Sequence, residues 1–192
     1  MKRLFLLGTA VSLAASLFAQ EFKLGSKVGD FTIHDVNGNA VQVSKLKGDV
    51  TVLMFIATQC PISNDYNERM KAVYSDYAPK GVKFVAINSN STEPAEEVEK
   101  HAARHQFQFK VYKDPENVVA DRFGAQVTPE VFVLDNTSTI RYHGYIDDSR
   151  DASKITTQGL RLALDAVLAG RTVERAETKA FGCTIKRAKK SS

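Results

Sequence analysis

The run 50–56, Val-Thr-Val-Leu-Met-Phe-Ile, constrains this 192-residue chain more than any other stretch. It is apolar, rich in β-branched residues and has no polar face. Such a run is a strand buried on both sides, as in a sheet covered by helices. Four residues later the chain reads Cys60-Pro61, and beyond it Tyr66, Met70, Val73 and Tyr77 recur at helical spacing. Cys60 therefore stands where a buried strand gives way to a helix. Pro61 suits the first helical position, where its missing N–H would have had no partner. A thiol just before it faces unpaired N–H groups and the positive end of the helix dipole. Both favour the thiolate, which is the reactive form of cysteine.

The flanking sequence completes an alternating pattern of strands and helices. Residues 28–43 predict a β-hairpin that turns at Asn37-Gly38. Gly81 ends the first helical region and 82–87 is a second core strand, so strand, helix and strand form a right-handed parallel unit. After a loop at 88–92, Thr92, Pro94 and Glu96 open a helix that runs to about His105. A short strand at 109–112 follows, then a small helix from Asp114-Pro115 through Asp121, closed near Gly124. Pro129 precedes the apolar run 131–134; a proline inside a central strand would remove a ladder bond, so it marks the strand's start. Residues 135–138 are a turn and 139–145 an antiparallel strand, followed by a polar loop at 147–157. Leu160, Leu164, Val167 and Leu168 form one apolar helical face, closed by Gly170. Residues 171–192 read as an irregular tail carrying Cys183.

On these residues the chain resembles the thioredoxin-like superfamily, and within it the redoxin (AhpC/TSA, peroxiredoxin-like) proteins. Cys60-Pro61 after a buried strand is similar to their active-site turn. Val28-Gly-Asp-Phe-Thr-Ile33 and Leu46-Lys-Gly48 are similar to the redoxin hairpin and its lead into the first core strand, and Val127-Thr-Pro-Glu-Val-Phe-Val-Leu-Asp135 to the cis-proline strand of thioredoxins. The likeness covers residues 25–170. It implies an α/β, thioredoxin-like fold: a central mixed sheet flanked by helices, with an N-terminal β-hairpin and the irregular tail outside the domain. It also implies that Thr128-Pro129 is cis and exposes backbone opposite Cys60. The sequence departs from both subfamilies. Ser63 occupies the resolving position of the thioredoxin Cys-x-x-Cys, and Gln59 its tryptophan position. Leu53 and Ala57 occupy the proline and threonine positions of the peroxiredoxin motif, with Thr58 one residue nearer the cysteine.

Met1-Lys-Arg3 followed by the apolar stretch 4–18 reads as a signal peptide, residues 1–19, cleaved after Ser16-Leu-Phe-Ala19. The stretch is too short for a comfortable membrane span, so the mature chain keeps no stable membrane insertion and is periplasmic or secreted. Without Lys2 and Arg3 the chain holds 24 basic and 22 acidic residues, and four of the basic ones, Lys186, Arg187, Lys189 and Lys190, crowd the last seven positions. The body is near neutral, which argues against nucleic acid as a partner. Export places Cys60 and Cys183 in an oxidising compartment.

Cys60 is the candidate nucleophile; the alternative, an inert core thiol, does not suit a strand-to-helix turn at the carboxyl end of a sheet, where α/β folds place ligands. Ser63 lies one turn along and can donate a hydrogen bond to a thiolate, or serve as an ordinary first-turn serine. Thr58 can bind the thiolate or a peroxide oxygen, or satisfy backbone. Arg141 is a weak candidate for a nearby cation. His101 and His105, at i and i+4, read as a solvated face rather than a metal pair. The apolar island 180–185 should dock the tail on the body, with Gly182 allowing close approach, so that Cys183 reaches Cys60. The alternative is a loose tail whose cysteine pairs with another chain.

Three functions fit. In the first, Cys60 performs thiol–disulfide exchange on protein thiols or disulfides and Cys183 resolves the intermediate. In the second, the same nucleophile reduces a peroxide. In the third, a Cys60–Cys183 bridge is a structural staple in a binding module. The first two need an external electron donor and no cofactor.

Overall fold

The computed structural model describes residues 22–189. The expected signal peptide, residues 1–19, lies outside them. The elements are β1 (Thr32–His34), β2 (Ala40–Gln42), β3 (Val50–Phe55), α1 (Pro61–Asp65), α2 (Asn67–Tyr77), β4 (Val82–Asn88), α3 (Ala95–Arg104), β5 (Val111–Lys113), α4 (Val118–Phe123), β6 (Val127–Thr128), β7 (Glu130–Leu134), β8 (Ile140–Gly144), α5 (Gly159–Leu168) and β9 (Cys183–Thr184). Seven strands form one mixed sheet in the order β2-β1-β5-β4-β3-β7-β8, and β6 and β9 form a separate pair.

β3 lies between β4, which runs parallel to it, and β7, which runs antiparallel. All six of its residues are buried, as an apolar run without a polar face requires. Its side chains alternate between two cores. Val52 and Met54 pack with Met70, Val73, Leu160 and Leu164 beneath α2 and α5. Leu53 and Phe55 pack with Ile33, Phe123 and Phe132 on the other face. The β1–β2 hairpin pairs Ile33 with Val41, and its turn is organised by the Asp35 carboxylate, which accepts from the Asn37 and Asn39 amides. Among the described residues no helix is long and apolar enough to cross a membrane.

Several expectations shift. The helix after Cys60 is interrupted at Tyr66, whose hydroxyl donates to Asp147 at 2.9 Å while Arg69 lies 3.7 Å over its ring. That pull anchors the 147–157 loop to the site side of the sheet. The small helix expected from Asp114 breaks at Glu116 and Asn117, both with positive φ, and α4 begins only at Val118. Asp114 still caps it: the buried carboxylate accepts from the Val119 and Ala120 amides at 2.9 Å. β5 begins at Val111, because Phe109 stacks on Phe107 at 4.7 Å instead of joining the ladder. On α5 the buried face is Leu160, Ala163 and Leu164, and Leu168 is exposed. The tail is not irregular throughout. It lies along β8, where the His143 amide donates to the Ala176 carbonyl and the Thr178 amide to the His143 carbonyl, both at 2.9 Å, and then forms β9.

A candidate active site at the Cys60 turn

Cys60 is the N-cap of α1, in extended backbone, with Pro61 next. Its Sγ accepts the Ser63 amide at 3.2 Å. α1 spans only five residues, so this direct N–H, rather than a long helix dipole, is the group that favours charge on the sulfur. Because Phe55 pairs with Glu130 across the sheet, the end of β3 and the start of β7 lie side by side. Thr128-Pro129, just before β7, is cis, and the Thr128 carbonyl oxygen lies 3.5 Å from Cys60 Sγ.

Cys183 completes the site. It forms a disulfide with Cys60, with Cα atoms 5.8 Å apart, inside the reach such a bond requires. Its strand pairs antiparallel with β6, Thr128 facing Cys183 and Val127 facing Thr184. The Ile185 amide donates to the Gln126 carbonyl at 2.9 Å and its side chain enters the core, while Phe181 sits 6.2 Å from Tyr66. Gly182 lies against the Thr128 carbonyl with no room for a Cβ. Cys60 is left 4% exposed and Cys183 partly exposed, so the tail is the roof of the site.

The other expected residues contribute backbone more than side chains. The Ser63 hydroxyl accepts from the Ala57 amide at 3.1 Å, and it is the Ser63 N–H that reaches Cys60. Among the described residues Thr58 Oγ1 and Thr128 Oγ1 have no hydrogen-bond partner. Arg141 pairs with Asp135, and the register of β3 with β7 puts Asp135 beyond the end of the sheet opposite Cys60. The His101 and His105 rings lie 4.3 Å apart and tilted by 43°; His101 is buried rather than solvated, and desolvation pushes its pKa down to about 4.

Two residues of the site escaped sequence reasoning. Glu93 is buried beside the turn, where its two oxygens accept from the Thr58 and Gln59 amides at 2.8 and 3.0 Å. Asn88 donates to the same carboxylate, and Lys113 reaches the Glu93 carbonyl and Asn88 Oδ1, both at 2.6 Å. Burial lowers the Lys113 pKa, with Glu93 and Asp114 opposing. Glu130 does the corresponding work on the other side: one oxygen accepts from the Gln126 and Val127 amides at 2.8 and 3.1 Å. Each carboxylate holds two consecutive amides: Glu93 those of the turn that carries Cys60, and Glu130 those that lead into β6, the strand on which the Cys183 strand pairs. Only the position of Glu130, directly after Pro129, gave a hint of this.

A mixed sheet with a cysteine at a strand-to-helix turn, opposite a cis-proline, defines a thioredoxin-like protein. The model of the AhpC/TSA family matches residues 24–143, and the chain belongs to that family. It is 26% identical over 147 residues to the thiol-disulfide oxidoreductase ResA of Geobacillus thermodenitrificans, spanning 73% of this chain and 83% of that one. The match to the ResA of Halalkalibacterium halodurans is 25% over 118 residues, 62% of this chain and 66% of that one. Among solved structures, an uncharacterized conserved protein from Geobacillus kaustophilus superposes with a TM-score of 0.81 at 35% identity, covering 88% of this chain and 95% of that chain.

Proposed function

We propose that this protein is an exported thiol-disulfide oxidoreductase in which Cys60 is the nucleophile and Cys183 the resolving thiol. The observation that carries this reading is the Cys60–Cys183 disulfide at the N-cap of α1, with the Ser63 amide on the Cys60 sulfur. The relatives named thiol-disulfide oxidoreductase support the same chemistry.

The reaction runs in two exchanges. The Cys60 thiolate attacks one sulfur of a partner's disulfide; that bond breaks and the departing partner thiolate takes a proton. Deprotonated Cys183 then attacks Cys60 Sγ, the mixed disulfide breaks, and the partner's second thiol leaves. Two electrons have passed to the partner, and the Cys60–Cys183 bond holds the oxidation. An external dithiol donor reverses both steps and restores the reduced pair. A thiolate leaves faster when it is better stabilised, so the amide on Cys60 also makes that sulfur the better leaving group when a reductant attacks Cys183, the more accessible of the two.

Peroxide reduction would call for a hydroxyl and a cation at the sulfur. Among the described residues Thr58 Oγ1 has no hydrogen-bond partner, the Cys60 sulfur included, and Arg141 stands at the opposite end of the sheet, so the geometry favours exchange. Export rests on the leader-like sequence of residues 1–19 and on the disulfide, which suits an oxidising compartment.

Trapping tests the reading. The Cys183→Ser variant, incubated with a disulfide-bearing protein, should accumulate a Cys60 mixed disulfide that peptide mass spectrometry identifies. Cys60→Ser should accumulate none. Equal trapping by the two variants, or none by Cys183→Ser, would contradict the assignment of roles.

A further inference from the structure

Resolution by Cys183 is an intramolecular step, so its rate and equilibrium depend on how firmly the tail cysteine is presented to Cys60. Beyond Cys183 the tail is held by Ile185 in the core and by the Lys186 amide on Asn90, but the strand pairing at Cys183 itself is short. β6 and β9 share two residue pairs, and a two-stranded ribbon of that size has little stability of its own. Among the described residues the Thr128 hydroxyl has no hydrogen-bond partner, so it does not anchor β6. What anchors β6 is the Glu130 carboxylate, buried directly after Pro129. One oxygen gathers the Gln126 and Val127 amides, and the other lies 2.6 Å from His143 Nε2.

His143 links this anchor to the tail. Its ring stacks on Phe132 with centroids 4.2 Å apart and planes 8° from parallel, which fixes its orientation. Its backbone holds Ala176 and Thr178, where the tail runs beside β8, and Glu177 Oε1 lies 4.0 Å from its Nδ1. The root of the tail and the strand that receives its tip thus share one Glu130–His143 pair. Among the described residues neither side chain hydrogen-bonds a sulfur; Cys60 Sγ meets the Ser63 amide and the Thr128 carbonyl.

We infer that Glu130 and His143 are positioning residues for the resolving step: they hold β6 and the root of the tail so that Cys183 is delivered to Cys60. This rests on the reading of Cys60 and Cys183 as a redox pair. An unpaired acceptor or amide in this buried cluster would loosen β6 without altering the α1 N-cap, so the pair sets the effective concentration of Cys183 and leaves the intrinsic reactivity of Cys60 alone.

The test uses the full chain in glutathione redox buffers, with quantitative thiol trapping to obtain the equilibrium constant for closing the Cys60–Cys183 bond. Glu130→Gln removes the charge and one of the acceptors. His143→Phe keeps the stacking on Phe132 and deletes the bond to Glu130, and it carries the test if Glu130→Gln does not fold. Each change is expected to lower the closing constant by roughly ten- to a hundredfold, the scale of a lost hydrogen bond to a charged group. Glu130→Asp should restore part of the loss. In a Cys183→Ser background, the alkylation rate of Cys60 should stay within about twofold when either change is added. Closing constants within twofold of the unmodified chain would overturn the inference, as would a parallel change in Cys60 alkylation. If the unmodified chain itself never equilibrates with glutathione, the redox-pair reading fails instead, and the two failures are distinguishable.

Discussion

Cys183 faces Thr128 across an antiparallel bridge, and the residue beside it, Gly182, lies directly on the Thr128 carbonyl. The tail is therefore docked backbone on backbone, with no side chain between it and the strand that borders Cys60.

Gly182→Ala should undo that docking. A Cβ there would overlap the Thr128 carbonyl carbon and oxygen, which are backbone atoms with little freedom to retreat. Overpacking of this kind costs about 1–3 kcal/mol, so closing of the Cys60–Cys183 bond should weaken by about five- to a hundredfold. Thiol trapping in a glutathione buffer measures it. Unchanged closing would mean that the tail has another way to approach.

Cys60 should be an acidic thiol once the tail cysteine is removed. The Ser63 amide at 3.2 Å stabilises the thiolate, while the Thr128 carbonyl at 3.5 Å opposes it. The N–H is shorter and points at the sulfur, and it should win. In Cys183→Ser, the pH dependence of iodoacetamide alkylation should titrate below the free-cysteine value of about 8.5. Titration at or above that value would show that the carbonyl dominates.

His101 should make the fold acid-sensitive. Burial brings its pKa from 6.5 to about 4, with His105 and Arg104 adding to the shift. Between those values the unfolded chain binds a proton that the folded one refuses. The contribution is fully present above pH 6.5 and is lost as pH falls to about 4. His101→Gln, which can still accept from Asn67, should flatten that limb in urea unfolding measured across pH 4–7. Parallel pH curves for the two proteins would contradict the assignment.

Much of the fold was legible because local pattern and tertiary role agreed. The 50–56 run had no polar face and became a strand covered on both sides, and Pro61 started a helix at the position where its missing N–H costs nothing. Tyr66, Met70, Val73 and Tyr77 read as one face and are all buried. The errors arose where a distant partner decided the outcome. At Tyr66 the helix tightens to a Ser63 carbonyl bond and restarts, while the tyrosine hydroxyl bonds Asp147, 81 positions away. His101 had charged neighbours in sequence, yet its ring packs on Phe107 and is buried. The docking of the tail was foreshadowed by the apolar island around Cys183 and by Gly182. Glu93 and Glu130 went unread, because beyond the place of Glu130 next to Pro129 little in a linear sequence marks a carboxylate that will bind amides 35 or four positions away.

The central claim is that the Cys60–Cys183 bond is a working redox couple and not a staple. A staple is a real competitor: closing a loop with a sequence separation of 123 would stabilise the fold by about 5 kcal/mol in the chain-entropy model. The reduction potential, measured by equilibrating the full chain against defined dithiol buffers, separates the two most directly. A couple that cycles with protein thiols should lie above about −300 mV, in the range of thiol–disulfide oxidoreductases. A potential below that value would mean that the bond holds the tail in place permanently, and would contradict the account.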